Sequence, residues 1–157
     1  MKRARSKKSF KKILIPVDFS PHSNHALRYA RVLAERFDCQ LTLMHVVESL
    51  AYSVTDTLNV IEHRRALETI ATTLLENLRA ELEEHGLAVS TVLVTGTPYR
   101  EILKHAEREH IDLIVMGTHG RTGVQHLLIG SVAERIVRLS PCPVLTVRPP
   151  TRHRRAR

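Results

Sequence analysis

The stretch from Ile111 to Ser131, IDLIVMGTHGRTGVQHLLIGS, decides the fold class of this 157-residue chain. Its first six residues are mostly apolar and do not alternate strictly with polar ones, which is typical of a strand buried on both faces of a sheet. A loop that contains Gly117 and Gly120 follows, and Gly130 with Ser131 opens the next apolar periodic segment. A buried strand, a glycine-bearing loop and a helix in this order predict one βα unit of a parallel sheet.

The same unit recurs along the rest of the chain. Further apolar runs predict strands at residues 13–17, 41–47, 87–94 and 144–147. Five strands that alternate with four helices predict a doubly wound α/β fold, a five-stranded parallel sheet in the order 3-2-1-4-5 with helices on both faces. Apolar residues at helical spacing indicate the four helices: Leu27, Ala30, Leu33, Ala34 and Phe37; Leu67, Ile70, Leu74, Leu78 and Leu82 as one stripe; Ile102, Leu103 and Ala106; and Val132, Ala133, Ile136 and Val137.

Several helix ends are marked by their residue types. Ser20 and Thr97 are each followed by a proline, so we expect both to cap a helix whose first position holds that proline. Gly86 supplies a left-handed stop for the second helix.

The net charge of +8 is concentrated at the two ends of the chain. Residues 1–12 and 148–157 hold 12 of the 24 lysines and arginines and no acid, which leaves 12 basic against 16 acidic residues between Ile13 and Val147. We therefore expect one domain at residues 12–147 between disordered basic tails at residues 1–11 and 148–157. The tails are either solvated ends or weak electrostatic tethers to nucleic acid or acidic lipid.

Composition and apolar run length exclude several classes of protein. Apolar residues make up 43% and charged residues 25% of the chain, as in ordinary globular proteins. No apolar run approaches the roughly 20 residues needed to cross a bilayer, and no secretory signal is recognisable, so we expect a cytoplasmic protein without a membrane span.

The topology predicts where a ligand binds. Doubly wound sheets bind ligands at the carboxyl ends of the strands where strand order reverses, here between the first and fourth strands. Asp18 follows the first of these strands, and the loop from Met116 to Gly120 follows the fourth.

The glycines of this loop have the spacing G-x2-G-x9-G-S. We expect Gly117 and Gly120 to let the backbone approach a phosphate chain, or to take dihedral angles denied to other residues. Gly130 and Ser131 would offer free N–H groups, a helix N-terminus and a hydroxyl to phosphates. The spacing matches neither a Walker A loop nor the GxGxxG of dinucleotide-binding sheets.

Three side chains near the predicted site permit more than one role. Asp18 can accept hydrogen bonds from a ribose or can begin the turn and cap the helix. His119 can contact phosphate or face solvent. His45, inside a strand, is expected to be a core or rim histidine without a catalytic role.

Five segments of the chain carry a family resemblance: ILIPVDFS at residues 13–20, LMHVVE at 43–48, IDLIVMGTHGRTG at 111–123, LLIGSVAERIV at 127–137 and SPCPVLTV at 140–147. Together they resemble the universal stress protein family, in its ATP-binding branch, over residues 12–147. The resemblance implies an adenine nucleotide alpha hydrolase-like fold, an ATP site, and a homodimer formed through the last strand, Val144 to Val147.

The resemblance also implies roles for individual residues. Asp18 would lie near the ribose or adenine, and Val46 would offer backbone contacts to adenine. A metal ion such as Mg²⁺ or Mn²⁺ would be held by the phosphates. The remaining residues implied are Pro16 and Val17 on the adenosine side, Met116 and Gly117 beside the nucleoside, and Gly120, Gly130, Ser131 and Val132 on the phosphates.

The sequence therefore favours an ATP-binding regulatory or stress-response module. It contains no paired carboxylates at a recognisable spacing and no GxSxG nucleophile motif, so we assign no catalytic residue. Two alternatives stay open: a slow ATPase or adenylate-forming enzyme, and an adaptor that reaches nucleic acid or membrane through the basic tails, of which nucleic-acid binding is not expected.

Overall fold

The computed structural model describes residues 10–48, 57–120 and 129–148. Strands and helices alternate throughout these residues, as the sequence predicted. In chain order they are β1 (Lys12–Pro16), α1 (Pro21–Phe37), β2 (Gln40–Glu48), α2 (Thr57–Glu84), β3 (Val89–Gly96), α3 (Pro98–Arg108), β4 (Leu113–Gly117), α4 (Ser131–Leu139) and β5 (Val144–Val147).

The five strands form one parallel sheet in the order β3-β2-β1-β4-β5, which confirms the predicted topology. β1 lies in the centre, where Ile13 pairs with Leu41 of β2 on one side and with Leu113 of β4 on the other. β2 continues four residues beyond Met44, the partner of the last residue of β1. This overhang forms a wall beside the carboxyl end of β1.

Each face of the sheet is covered by two helices. Ala30 of α1 and Leu75 of α2 belong to one buried cluster, and Ile102 of α3 and Ile136 of α4 belong to the other. The strands contribute to both clusters in alternation, so Ile13 and Ile15 face α1 and α2 while Leu14 faces the opposite side. This double coverage is the reason that the strands read as continuous apolar runs.

The predicted helix ends are largely confirmed. The Ser20 hydroxyl accepts a hydrogen bond from the Ser23 N–H at 3.2 Å, with Pro21 at the first helical position. Gly86 has a φ of +78°, the left-handed conformation expected after α2. Thr97 occupies the N-cap of α3 but makes no side-chain capping hydrogen bond.

The predicted apolar stripe of α2 is wrong in its N-terminal half. Leu67, Ile70 and Leu74 are 37%, 57% and 38% exposed, whereas Ala71 and Leu75 are buried. The buried stripe runs through Leu78 and Leu82, which the prediction did include. α2 packs over β2 and the edge strand β3, so the sheet covers only one narrow side of this 28-residue helix.

Most of both basic tails, at residues 1–9 and 149–157, lies outside the described residues, as does the connection at residues 49–56. Within the described part of the chain, each helix falls short of the length or the apolar character that a bilayer crossing demands.

Candidate functional site

The strand order reverses between β1 and β4, and the carboxyl ends of these two strands lie side by side. Pro16 is the last residue of β1, and Gly117 is the last residue of β4. The turn from β1 into α1 and the loop from β4 towards α4 therefore meet at one edge of the sheet. This is the edge at which parallel α/β sheets bind their ligands.

The turn after β1 fixes the position of Asp18. Asp18 Oδ1 accepts a hydrogen bond from the Ser20 N–H at 3.0 Å, and the Asp18 N–H contacts Ser23 Oγ at 3.4 Å. Phe19 takes a left-handed conformation with a φ of 62°. Oδ1 thus stabilises the turn through a hydrogen bond, and the other carboxylate oxygen, Oδ2, lies beside Gly120.

Gly120 leaves room for the Oδ2 atom of Asp18. A Cβ on Gly120 would lie 2.9 Å from Asp18 Oδ2, which is well inside the optimal distance of about 3.5–4.0 Å for non-bonded heavy atoms. A side chain at residue 120 would therefore displace the Asp18 carboxylate from this position.

Gly117 also lies against α1, a contact that the sequence did not suggest. A Cβ there would lie 3.0 Å from the carbonyl oxygen of His22 in the first turn of α1. Neither Gly117, Gly120 nor Gly130 has a positive φ; among the described glycines only Gly86 does. The expectation of special dihedral angles is therefore wrong, and these glycines provide room for neighbouring backbone and side-chain atoms.

Gly130 joins the two ends of the β4–α4 connection. Its N–H donates to the carbonyl oxygen of Thr118 at 2.7 Å, so this amide is not one of the free donors that the sequence predicted. Gly130 is the N-cap of α4, and as a glycine it has no side chain that could cap the helix. The free N–H groups of a helix are those of its first turn, which here begins with Ser131 and Val132. Ser131 is exposed, and Val132 is half-buried.

The opposite wall consists of residues from β1 and β2. Val17 and Val46 are buried, and the Val17 N–H donates to the Met44 carbonyl at 2.8 Å. His45 Nδ1 donates to the Val17 carbonyl at 2.7 Å, and its ring lies 4.7 Å from that of Phe19. His45 is therefore a rim histidine with a structural hydrogen bond, as the sequence predicted.

The described residues thus bring most of the predicted site together. Asp18, Gly117, His119, Gly120 and Gly130 approach one another directly. Met116 is buried at the end of β4, and Pro16 is half-buried at the end of β1. Residues 121–128, including Arg121, lie outside the described part of the chain.

Two residues at this edge were not singled out by the sequence. Thr118 is buried; its carbonyl accepts the Gly130 N–H, and its own N–H donates to the Val147 carbonyl at 3.1 Å. His22 lies in the first turn of α1, with its ring 5.6 Å from that of His119. The sequence signal for a role of His22 at the site is its position directly after the Ser20-Pro21 cap. Its neighbours at the site are about 100 residues away in the sequence.

Two grooves at the opposite, amino-terminal edge of the sheet are not part of this site. One, of about 550 Å³, is lined by residues that include Lys11, Cys39 and His85. The other, of about 280 Å³, includes Thr42 and His105. Neither touches a predicted site residue, and ligands of doubly wound sheets bind at the carboxyl edge. The candidate site is therefore the edge that holds Asp18 and Gly120.

This arrangement favours binding of an anionic ligand with hydroxyl groups. The N–H groups at the start of α4 and the positive end of its dipole attract phosphate, and a carboxylate such as Asp18 accepts hydrogen bonds from sugar hydroxyls. Among residues 10–48, 57–120 and 129–148, no three histidine, cysteine or acidic side chains are grouped so that they could hold a metal ion.

The fold is shared with several solved structures. The universal stress protein UspA from Lactobacillus plantarum superimposes with a TM-score of 0.83 at 26% identity, over 88% of this chain and 98% of that one. The structure of MJ0577 superimposes with a TM-score of 0.77 at 34% identity, over 91% and 99% of the two chains. Two more distant structures share the fold at 19% and 21% identity: a universal stress protein in complex with cAMP, and an Arabidopsis thaliana family protein with AMP bound, with TM-scores of 0.68 and 0.64.

Sequence comparison agrees with this structural similarity. The universal stress protein MJ0577 from Methanocaldococcus jannaschii is 32% identical over 154 residues, which is 88% of this chain and 95% of that protein. The model of the Universal stress protein family matches residues 9–148, a range that contains all nine strands and helices of the described structure. The chain therefore belongs to the universal stress protein family.

Proposed function

We propose that this protein binds ATP at the carboxyl edge of its sheet and acts as a nucleotide-dependent regulatory module in a stress response in the cytoplasm. The observation that carries the proposal is the convergence of Asp18, Gly120 and the uncapped first turn of α4 at the reversal of strand order. The AMP and cAMP complexes of distant relatives support an adenine nucleotide as the ligand class.

Each part of the nucleotide is assigned to one part of the site. Pro16, Val17 and Val46 border the adenosine, with Met116 and Gly117 on the opposite side. Asp18 Oδ2, which is not used by the Ser20 N–H, accepts from the ribose or adenine. Gly120, Gly130, Ser131 and Val132 border the phosphates, with His119 beside them. A Mg²⁺ or Mn²⁺ ion is held by the phosphate oxygens.

The experiment is equilibrium dialysis with labelled ATP on protein that has been stripped of co-purified nucleotide. We expect one ATP per chain for the wild type and weaker retention for Ser131→Ala and Gly130→Ala. A Cβ on Gly130 would lie 3.3 Å from the Thr118 carbonyl, so Gly130→Ala also strains the hydrogen bond that joins the ends of the loop. No retention by the wild type, or equal retention by all three proteins, would contradict the proposal.

The same site leads us to propose a binding module rather than an enzyme. The sequence contains no paired carboxylates at a recognisable spacing and no GxSxG nucleophile motif, so we assign no catalytic residue. We expect labelled ATP to stay intact during the dialysis. Release of ADP or AMP at a rate proportional to protein, and lost in Asp18→Ala, would instead support the enzyme alternative.

We also propose that two chains associate through β5. β5 is an edge strand of the described sheet, and Leu145 on it is 38% exposed. An exposed apolar edge strand is a site for pairing with another strand. We expect the wild type to elute as a dimer in size-exclusion chromatography with light scattering, and Leu145→Lys to elute as a monomer. A monomeric wild type, or a dimer unaffected by Leu145→Lys, would remove this proposal.

A further inference from the structure

His22 occupies an unusual position at the start of α1. It is the second residue of the helix, after Pro21, and its carbonyl oxygen faces Gly117 at the end of β4. The first turn of α1 contains no acidic residue, and the nearest carboxylate, that of Asp18, lies just before it and accepts from the N-cap Ser20 N–H. Two helix N-termini, those of α1 and α4, therefore follow the two strands between which the site lies.

The rings of His22 and His119 form a pair at this point. Their centroids are 5.6 Å apart, and the ring planes are inclined by 46°. His119 Nδ1 is within 3.0 Å of Thr118 Oγ1, a hydrogen bond that fixes the orientation of the His119 ring. Thr118 is itself held by backbone hydrogen bonds to Gly130 and Val147.

The Nδ1 atom of His22 is buried and has no hydrogen-bond partner. Native proteins leave few buried polar atoms unpaired, because such an atom loses its hydrogen bonds to water without replacement. His22 as a whole is only half-buried. A half-turn about the Cβ–Cγ bond, a soft and roughly two-fold torsion, exchanges the positions of Nδ1 and Cδ2 and so changes what Nδ1 faces.

We propose that His22 and His119 together bind the phosphate chain of the nucleotide, and that this imidazole pair makes the site prefer ADP and ATP to AMP. The inference rests on the proposed function and adds His22, which lies outside the glycine pattern. The Asp18 carboxylate is suited to ribose hydroxyls, whereas imidazole N–H groups are suited to phosphate oxygens. The phosphate gives the unpaired His22 nitrogen a partner.

The test compares the affinities of adenosine, AMP, ADP and ATP by isothermal titration calorimetry. His22→Leu removes the hydrogen-bonding atoms at similar volume, and His22→Gln keeps an N–H donor. His25→Leu is the matched control, because His25 lies one turn further along α1, where its ring packs against Tyr29 at 5.3 Å. Urea unfolding of each variant checks that α1 is intact.

We expect His22→Leu to weaken ADP and ATP by about tenfold, the size expected for one lost hydrogen bond to a charged group, and to change adenosine and AMP by less than about twofold. His22→Gln should lose less than His22→Leu, and His25→Leu should match the wild type.

Three outcomes would overturn the inference in distinguishable ways. Equal weakening of adenosine and ATP would mean that His22 only supports the fold. Unchanged affinities in His22→Leu, with a wild type that binds ATP, would mean that the ring does not contact the nucleotide. A wild type that binds none of the four compounds would remove the proposed function and this inference with it.

Discussion

Asp18 Oδ2 lies against Gly120, and a Cβ on residue 120 would be only 2.9 Å from that oxygen. These residues are 102 positions apart and belong to different βα connections. The relationship brings the end of β1 and the loop after β4 together, and it makes the position of the carboxylate depend on a glycine.

We predict that Gly120→Ala weakens ATP binding by on the order of tenfold, because the new methyl group displaces the Asp18 carboxylate. The measurement is calorimetric titration of the single variants and of the double variant Asp18→Ala/Gly120→Ala. In the Asp18→Ala background, Gly120→Ala should cost less, since the carboxylate that it displaces is already gone. Strictly additive effects would show that the two residues act separately.

We predict that Gly117→Ala lowers the free energy of unfolding by about 1–3 kcal/mol, as expected for overpacking. A methyl group at this position would meet the His22 carbonyl at 3.0 Å, and this oxygen belongs to the backbone of α1, which packs against β4. Urea denaturation measures the change. Gly120→Ala is the comparison, because its Cβ meets a side chain rather than backbone. Wild-type stability of Gly117→Ala would contradict this explanation of the glycine.

We predict that the two apolar stripes of α2 differ sharply in their contribution to stability. Leu75→Ala removes a side chain that is 2% exposed and should cost about 2–5 kcal/mol, whereas Ile70→Ala removes one that is 57% exposed and should cost less than about 1 kcal/mol. Chemical denaturation of both variants checks the difference. Similar losses would mean that Ile70 is covered in solution.

Leu75 and Ile70 show how much of α2 can be predicted from the sequence. Apolar periodicity correctly predicts that α2 is a helix, but Leu67, Ile70 and Leu74 lie beside Ala71 and Leu75, and the spacing fits either stripe. The choice between them depends on how the helix rests on β2 and β3, which is a tertiary contact. The strands and their order are predicted more reliably, because burial on both faces leaves unbroken apolar runs.

The candidate site, too, can be predicted only in part from the sequence. The spacing of Gly117, Gly120 and Gly130 identifies the loop, and the topology identifies Asp18 as its neighbour. The sequence could not reveal that Gly117 makes room for the His22 carbonyl, since this contact joins α1 to β4 across 95 positions.

We predict that His105 makes folding stability depend on pH. Burial of the imidazole, aided by the Arg108 guanidinium and opposed by Glu109, lowers the pKa of His105 below its usual 6.5. The unfolded chain therefore binds the proton more readily. The contribution of His105 is fully present above pH 6.5 and is lost as the pH falls towards the lowered pKa.

The variant for this test is His105→Gln, compared with the wild type by urea unfolding at pH 7.5 and at pH 5.5. The free-energy difference between the two proteins should be larger at pH 7.5, because only the wild type loses stability through this group on acidification. Arg108 Nη2 lies 3.2 Å from His105 Nδ1, which fits a neutral ring that accepts the hydrogen bond. A difference that does not vary with pH would exclude His105 as the responsible group.

The most direct test of the central claim is an amide-resolved NMR titration of stripped protein with ATP. The account predicts chemical-shift changes concentrated at Asp18, at residues 117–120 and at the first turn of α4 from Ser131 to Ala133, with Gly86 and Lys12 at the opposite edge unchanged. Shifts centred on that amino-terminal edge, or none at saturating ATP, would contradict it.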